Sequence, residues 1–153
     1  MKIQQATQSE SDTVKLAGRL ASVCEQPCVL FLEGPLGAGK TAFARGFIHA
    51  RGYEGPVPSP SYQLVQIYEG EGLPIVHMDL YRMESASHFE DLGMLEWVDE
   101  AIWLVEWPEQ GAKPWLSPDY QCRFLLEPEG RSVLIEAHSG LGEKGLQALG
   151  ACD

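Results

Sequence analysis

No asparagine occurs anywhere in this 153-residue chain, and lysine plus arginine total only 11 against 22 aspartates and glutamates. No apolar run approaches the roughly 18 residues that a membrane span requires. Each shortage excludes something. The missing long run argues against a membrane protein. The net charge of -11 argues against a chain that grips DNA or RNA by itself, because such binding rests on neutralising phosphates. A pathway in which a partner holds the RNA stays open. The missing asparagine removes the Asn-Lys-x-Asp motif with which GTPases read guanine. Four cysteines, Cys24, Cys28, Cys122 and Cys152, form no Cys-x-x-Cys pair and have no histidine at finger-like spacing, so they read as small core residues rather than metal ligands. The opening Met1-Lys2-Ile3-Gln4-Gln5 lacks the apolar core of an export signal, so a cytoplasmic location is expected.

What is present suits a single domain over residues 1–153, long enough to bury a core without disulfide or metal staples. Thr7 with Glu10, or Ser9 with Asp12, forms a capping box that opens a helix. Val14, Ala17, Ala21 and Cys24 recur on its apolar face until Gln26-Pro27 ends it. Cys28 to Leu32 is the uninterrupted apolar run of a strand buried on both faces of a parallel sheet. A glycine-rich loop follows, and Lys40 to Arg51 reads as a helix closed by Gly52. Further strands are predicted at 62–68, 75–78, 102–105, 120–126 and 132–137, with helices at 85–95 and 142–149. The alternation predicts an α/β fold whose mixed central sheet is flanked by helices, with antiparallel strands near the C-terminus; the Gly-x-x-x-x-Gly-Lys-Thr spacing of the loop from Gly34 to Thr41 makes the expected architecture a three-layer P-loop NTPase.

The loop Gly34-Pro35-Leu36-Gly37-Ala38-Gly39-Lys40-Thr41 has the Gly-x-x-x-x-Gly-Lys-Thr spacing and sits between a buried strand and a helix. Its glycines let backbone N–H groups curl around phosphate oxygens, and the following helix turns its positive end toward them. Gly37, Ala38, Gly39, Lys40, Thr41 and Ala42 are the expected phosphate contacts. Lys40 reaches the outer phosphates, and the Thr41 hydroxyl is placed to ligate Mg²⁺. Two strands, Ile75 to Met78 and Ile102 to Val105, run into Asp79 and Glu106. Carboxylates at strand ends lie on the edge where ligands bind in open α/β sheets, and spacing alone leaves open which one touches the metal. His77, inside its strand, reads as a packed residue. Trp107 is placed either against a base or partner or in the core, and Ser59-Pro60-Ser61 reads either as a switch segment or as a plain surface loop. With guanine recognition missing, ATP is the expected nucleotide. A small-molecule kinase is the main rival, but the six arginines (Arg19, Arg45, Arg51, Arg82, Arg123 and Arg131) do not cluster as a phosphoryl-transfer lid requires. A non-catalytic, nucleotide-dependent interaction module is a third reading.

Four segments occur together: Gly34 to Gly46, Ser59 to Val65, His77-Met78-Asp79-Leu80-Tyr81-Arg82, and Leu104-Val105-Glu106-Trp107-Pro108-Glu109. In order and spacing they resemble the TsaE (YjeE) family, bacterial P-loop ATPases of tRNA threonylcarbamoyladenosine biosynthesis. The resemblance implies a slow Mg²⁺-dependent ATPase acting with the TsaB and TsaD proteins and meeting tRNA only through that complex. It implies regulation of the complex, with the threonylcarbamoyl group transferred by TsaD. It also implies that Thr41 and Glu106 ligate Mg²⁺, with Asp79 close by, that Ser59 to Tyr62 form a switch-like loop, and that Glu10 and Arg131 lie near the nucleotide. Lys40, Asp79 and Glu106 are thus the candidate catalytic residues. Asp79 and Glu106 are both conceivable bases for the attacking water, although a metal-bound carboxylate is a poor one. Two positions depart from the family: Ser61 replaces the usual threonine, and Pro35 replaces an acidic or amide residue and brings no N–H to the loop.

Overall fold

The computed structural model describes residues 1–84 and 87–151. Seven strands form one mixed sheet in the order β1-β7-β6-β2-β5-β4-β3. They are β1 (Lys2–Ala6), β2 (Cys28–Glu33), β3 (Val65–Tyr68), β4 (Ile75–Asp79), β5 (Ile102–Glu106), β6 (Tyr120–Glu127) and β7 (Gly130–Ala137). The centre is parallel, with β2 paired to β5 and β6 and β4 paired to β5. Three antiparallel pairings complete it: β6 with β7, β1 with β7, and β3 with β4. The helices are α1 (Glu10–Val23), α2 (Lys40–Ala50), α3 (Ser87–Asp91) and α4 (Gly140–Ala151).

The burial pattern explains the layering. Leu30 and Leu32 of β2, Ile75 of β4, and Ile102 and Leu104 of β5 belong to one core cluster. Leu16 and Leu20 of α1, Phe43 and Phe47 of α2, and Leu146 of α4 close over them. The intervening residues, Val29, Phe31, Val76, Met78, Trp103 and Val105, belong to a second cluster on the opposite face. Phe89 of α3 and Met83, Met94 and Leu116 cover that side. Alternation along a strand therefore puts His77, Asp79 and Glu106 on the face that carries α1 and α2.

Four sequence expectations shift. β1 has no counterpart in the predicted elements because it is an edge strand: Lys2, Gln4, Gln5 and Ala6 are exposed, so no apolar alternation marks it. Its pairing with β7 identifies it instead. The strand expected from Tyr62 begins only at Val65, because the Leu64 N–H donates to the Pro60 carbonyl (2.6 Å) and Leu64 takes a positive φ of 69°. The helix expected over 85–95 is α3 followed by a 3₁₀ turn, Leu95–Trp97, with Gly93 between them at φ 68°; Ser85 and Ala86 lie outside the described residues. The apolar face of α1 is rotated: Thr13, Leu16, Ala17, Leu20 and Ala21 are buried, whereas Val14 is 38% exposed and lies along α2 at Gly46. Of the two capping boxes, Ser9 with Asp12 forms by half: the Ser9 hydroxyl accepts from the Asp12 N–H at 3.2 Å, while the Asp12 carboxylate accepts from the Gln8 N–H at 3.1 Å, one residue before the cap. Cys24, Cys28 and Cys122 are buried free thiols; Cys152 lies outside the described residues. Among the described residues, no helix is long and apolar enough to cross a membrane.

Candidate functional site

The glycine-rich loop connects β2, at the centre of the sheet, to α2. Gly39 precedes the first residue of α2 at φ 110°, and no side chain caps the helix. Its first N–H groups are therefore left to a ligand, and the helix dipole favours a negative one. Gly34 is constrained from behind. A Cβ there would lie 2.6 Å from the Phe124 carbonyl oxygen, at a φ of 153° that suits only glycine. The loop thus rests directly against β6. An open cleft of about 570 Å³ lies in front of it, lined by Gly37, Gly39, Lys40, Thr41 and Ala42 on the loop side. Ala38 does not itself line the cleft. Its side chain is buried in the core, and its N–H donates to the Pro35 carbonyl at 3.3 Å.

Lys40 is 5% exposed. Its ammonium donates to the carbonyls of Gly34 and, at 2.9 Å, Pro35, and lies 4.2 Å from the centre of the Trp107 ring. Burial holds its pKa below the usual 10.5, although Glu106, Asp79 and Glu109 pull it back up. Pro35 therefore serves the loop through its carbonyl. Trp107 takes up the left-handed conformation (φ 57°, ψ 51°) just beyond β5, a costly geometry for a bulky residue. Its ring packs on Tyr81 at 4.9 Å and at the margin of the second core cluster. It combines a core contact with a roof over Lys40.

The two strand-end carboxylates are register partners on adjacent parallel strands, Asp79 opposite Glu106. Their partners differ. The Thr41 hydroxyl donates to Glu106 Oε1 at 2.9 Å, and His77 Nε2 lies 2.7 Å from Glu106 Oε2. At Asp79, Ser59 donates its hydroxyl to Oδ2 (3.2 Å) and Tyr81 its N–H to Oδ1 (3.0 Å). Burial raises the Asp79 pKa above 3.8, with Glu106 adding to the rise and the Tyr81 and Ser59 hydrogen bonds opposing it. The loop after α2 is tied down a second time by Arg82, which donates to Ser61 Oγ (3.0 Å) and the Tyr62 hydroxyl (3.2 Å). Glu10 and Arg131 line the far side of the same cleft, and Glu10 is paired with Arg45 at 3.1 Å.

The cleft therefore brings together Lys40, Thr41, Asp79, Glu106, Glu10 and Arg131. Thr41 Oγ and Glu106 Oε1 form a pair of hard oxygen donors beside the helix N-terminus. Among the described residues, no group of three His, Cys, Asp or Glu side chains makes a metal cage. That donor set fits Mg²⁺, which takes one or two protein oxygens and completes its shell with phosphate and water. His77 is the residue that sequence reasoning undervalued. It is packed as expected, fully buried, but it also holds Glu106. The available signal was its position two residues before Asp79, on the same strand face.

A family model described as "Threonylcarbamoyl adenosine biosynthesis protein TsaE" matches residues 7–133. The chain belongs to the TsaE family. A family member from Haemophilus influenzae is 33% identical over 125 residues, spanning 81% of this chain and 79% of that one. A second, from Aquifex aeolicus, is 36% identical over 124 residues, with 80% and 83% coverage. Both are named tRNA threonylcarbamoyladenosine biosynthesis protein TsaE. The crystal structure of Bacillus subtilis YdiB superposes with a TM-score of 0.83 at 27% identity, covering 100% of this chain and 97% of that one. The family match takes in the phosphate loop, both strand-end acids and Arg131.

Proposed function

We propose that the chain binds ATP with Mg²⁺ in this cleft and hydrolyses it slowly in the service of tRNA threonylcarbamoylation, acting with the TsaB and TsaD proteins and regulating their complex without transferring the group itself. The observation that carries this reading is the convergence of Lys40, the Thr41–Glu106 pair and Asp79 at the uncapped N-terminus of α2. Thr41 and Glu106 would hold Mg²⁺, which supplies charge neutralisation across the outer phosphates. The ammonium of Lys40 exchanges its loop carbonyls for phosphate oxygens. The N–H groups at the start of α2 receive the inner phosphates. Asp79 would orient the attacking water at the terminal phosphorus, and the Ser59 loop, fastened to Asp79, would register whether that phosphate is present. The net charge of -11 supports contact with tRNA through the partners rather than by this chain alone.

A kinase reading draws less support, since of the six arginines only Arg82 and Arg131 line the cleft. Phosphate release from ATP, measured for the chain alone and with TsaB and TsaD, tests the proposal. Slow release accelerated by the partners and lost in Glu106→Ala is the expected result. Phosphate transfer to a metabolite in place of water would refute it, and tight ATP binding without turnover, partners included, would reduce the chain to an interaction module.

A further inference from the structure

Glu106 is held at both oxygens, and the two holders differ in kind. Thr41 is the first-turn hydroxyl of α2, at the open cleft. His77 is enclosed: it is fully buried on β4, between Gln66 of β3 and Leu104 of β5 in the sheet register. The Asp79–Glu106 pair lies two residues further along the same strands, so the imidazole reaches Glu106 diagonally across the ladder on one face. Its Nδ1 is buried with no hydrogen-bond partner. A proton on Nδ1 would be a stranded donor, so the ring is best accommodated with its single proton on Nε2, donated to Glu106 Oε2 at 2.7 Å. Full burial in a close-packed interior restricts the ring's rotation.

We infer that His77 determines which divalent ion the cleft accepts, by occupying one oxygen of Glu106 and leaving the carboxylate a single coordinating oxygen. The inference rests on the reading of Glu106 as a Mg²⁺ ligand. Mg²⁺ requires near-octahedral geometry at short distances, and a one-oxygen carboxylate meets that need. Ca²⁺ takes six to eight oxygens at longer distances and readily uses a carboxylate through both. With Oε2 tied to a buried N–H, the two-oxygen grip is denied, while Oε1 and the Thr41 hydroxyl remain for the smaller ion. His77 is therefore a positioning residue that discriminates between metals, acting through Glu106.

The test is the ADP affinity of the whole chain, measured by calorimetry in excess Mg²⁺, in excess Ca²⁺ and in EDTA. His77→Leu removes the donor and is expected to lower the preference for Mg²⁺ over Ca²⁺ about tenfold, with the affinity in EDTA unchanged. His77→Gln places an amide N–H near the position of Nε2 and is expected to recover most of the preference. A purely structural role would lower all three affinities together. An unchanged Mg²⁺-to-Ca²⁺ ratio in His77→Leu overturns the inference. Glu106→Ala separates it from the reading beneath it: if Mg²⁺ strengthens ADP binding in that variant as much as in the unmodified chain, Glu106 is not a ligand and the reading itself fails. Should His77→Leu not fold, ¹⁵N spectra of the unmodified protein decide the matter. The inference requires the Nε2–H form of His77 both in EDTA and with Mg²⁺ and ADP, and loss of that bonded proton on adding Mg²⁺ overturns it.

Discussion

Replacing Lys40 with methionine separates what this side chain does for nucleotide binding from what it does for the fold. In the free protein the ammonium holds two loop carbonyls and sits against the Trp107 ring, so binding ATP is an exchange of partners. Attraction to one unit of phosphate charge at ~4 Å, with an effective dielectric constant of ~20, is about 4 kcal/mol. Giving up the carbonyl bonds takes back about 1–2 kcal/mol. The net is about 2–3 kcal/mol, or roughly a 30- to 150-fold loss of affinity in Lys40→Met. The free fold responds differently. Burial already disfavours this charge, methionine fills a similar length, and the freed carbonyls belong to Gly34 and Pro35, neither of which is buried, so unfolding stability should change by less than about 1 kcal/mol. Calorimetric titration with Mg²⁺ and ATP, alongside denaturant unfolding, measures both. A loss of affinity under about threefold would refute the exchange argument, as would a fold destabilised by much more than the affinity loss. The unsubstituted protein provides a pH check. Affinity should fall as pH rises through the lowered Lys40 pKa. Over the window from that value up to the ordinary 10.5, the unfolded chain binds more protons than the native one, so the free fold gains stability while binding weakens.

Asp79→Asn should oppose turnover and stability in the same way. Because burial raises the Asp79 pKa, its charge disfavours folding as pH rises through that raised value. The amide can still accept from the Tyr81 N–H while Ser59 turns its hydroxyl to accept from the new NH₂, so the Tm at neutral pH should be unchanged or higher while ATP turnover falls at least about tenfold; a clearly lower Tm would contradict this. Gly34→Ala drives a Cβ to 2.6 Å from a backbone oxygen of Phe124 at a φ closed to alanine, and should destabilise by about 3 kcal/mol or more, lowering the Tm by roughly 6–12 °C in a thermal melt. Arg82→Ala removes the bonds to Ser61 and Tyr62 and should speed amide exchange in residues 61–64 while β2 and β5 stay protected. Equal exchange in that loop would mean that Arg82 does not fasten it.

The elements legible in the sequence are those whose burial is strong and local. β2 and β5 are nearly all apolar and buried, and the loop motif fixes where α2 begins. β1 was not legible, because an edge strand with one face in solvent needs little apolar surface and is specified by its partner β7. The split of α3 from the 3₁₀ turn depends on one left-handed glycine, Gly93, which a helical pattern tolerates on paper. At the site, spacing located Lys40, Thr41, Asp79 and Glu106 but left the two acids equivalent. The structure distinguishes them by their hydrogen-bond donors: Glu106 is bonded to Thr41 and His77, Asp79 to Ser59 and Tyr81. The His77–Glu106 bond is set by the sheet register, and the bonds from Thr41 and Ser59 join a helix and a loop to strand ends 65 and 20 positions away, which no local pattern encodes.

The rear wall of the phosphate loop has a consequence for what counts as the smallest working unit. Phe124 presses its backbone against Gly34 and its ring toward Gly39 and Phe43, and the hairpin it belongs to brings Arg131 to the cleft. A chain cut before β6 would retain the whole glycine-lysine-threonine motif and both strand-end acids, yet lose the surface that moulds the loop. The C-terminal hairpin, which contributes no residue to the motif, is part of the apparatus that gives the motif its shape.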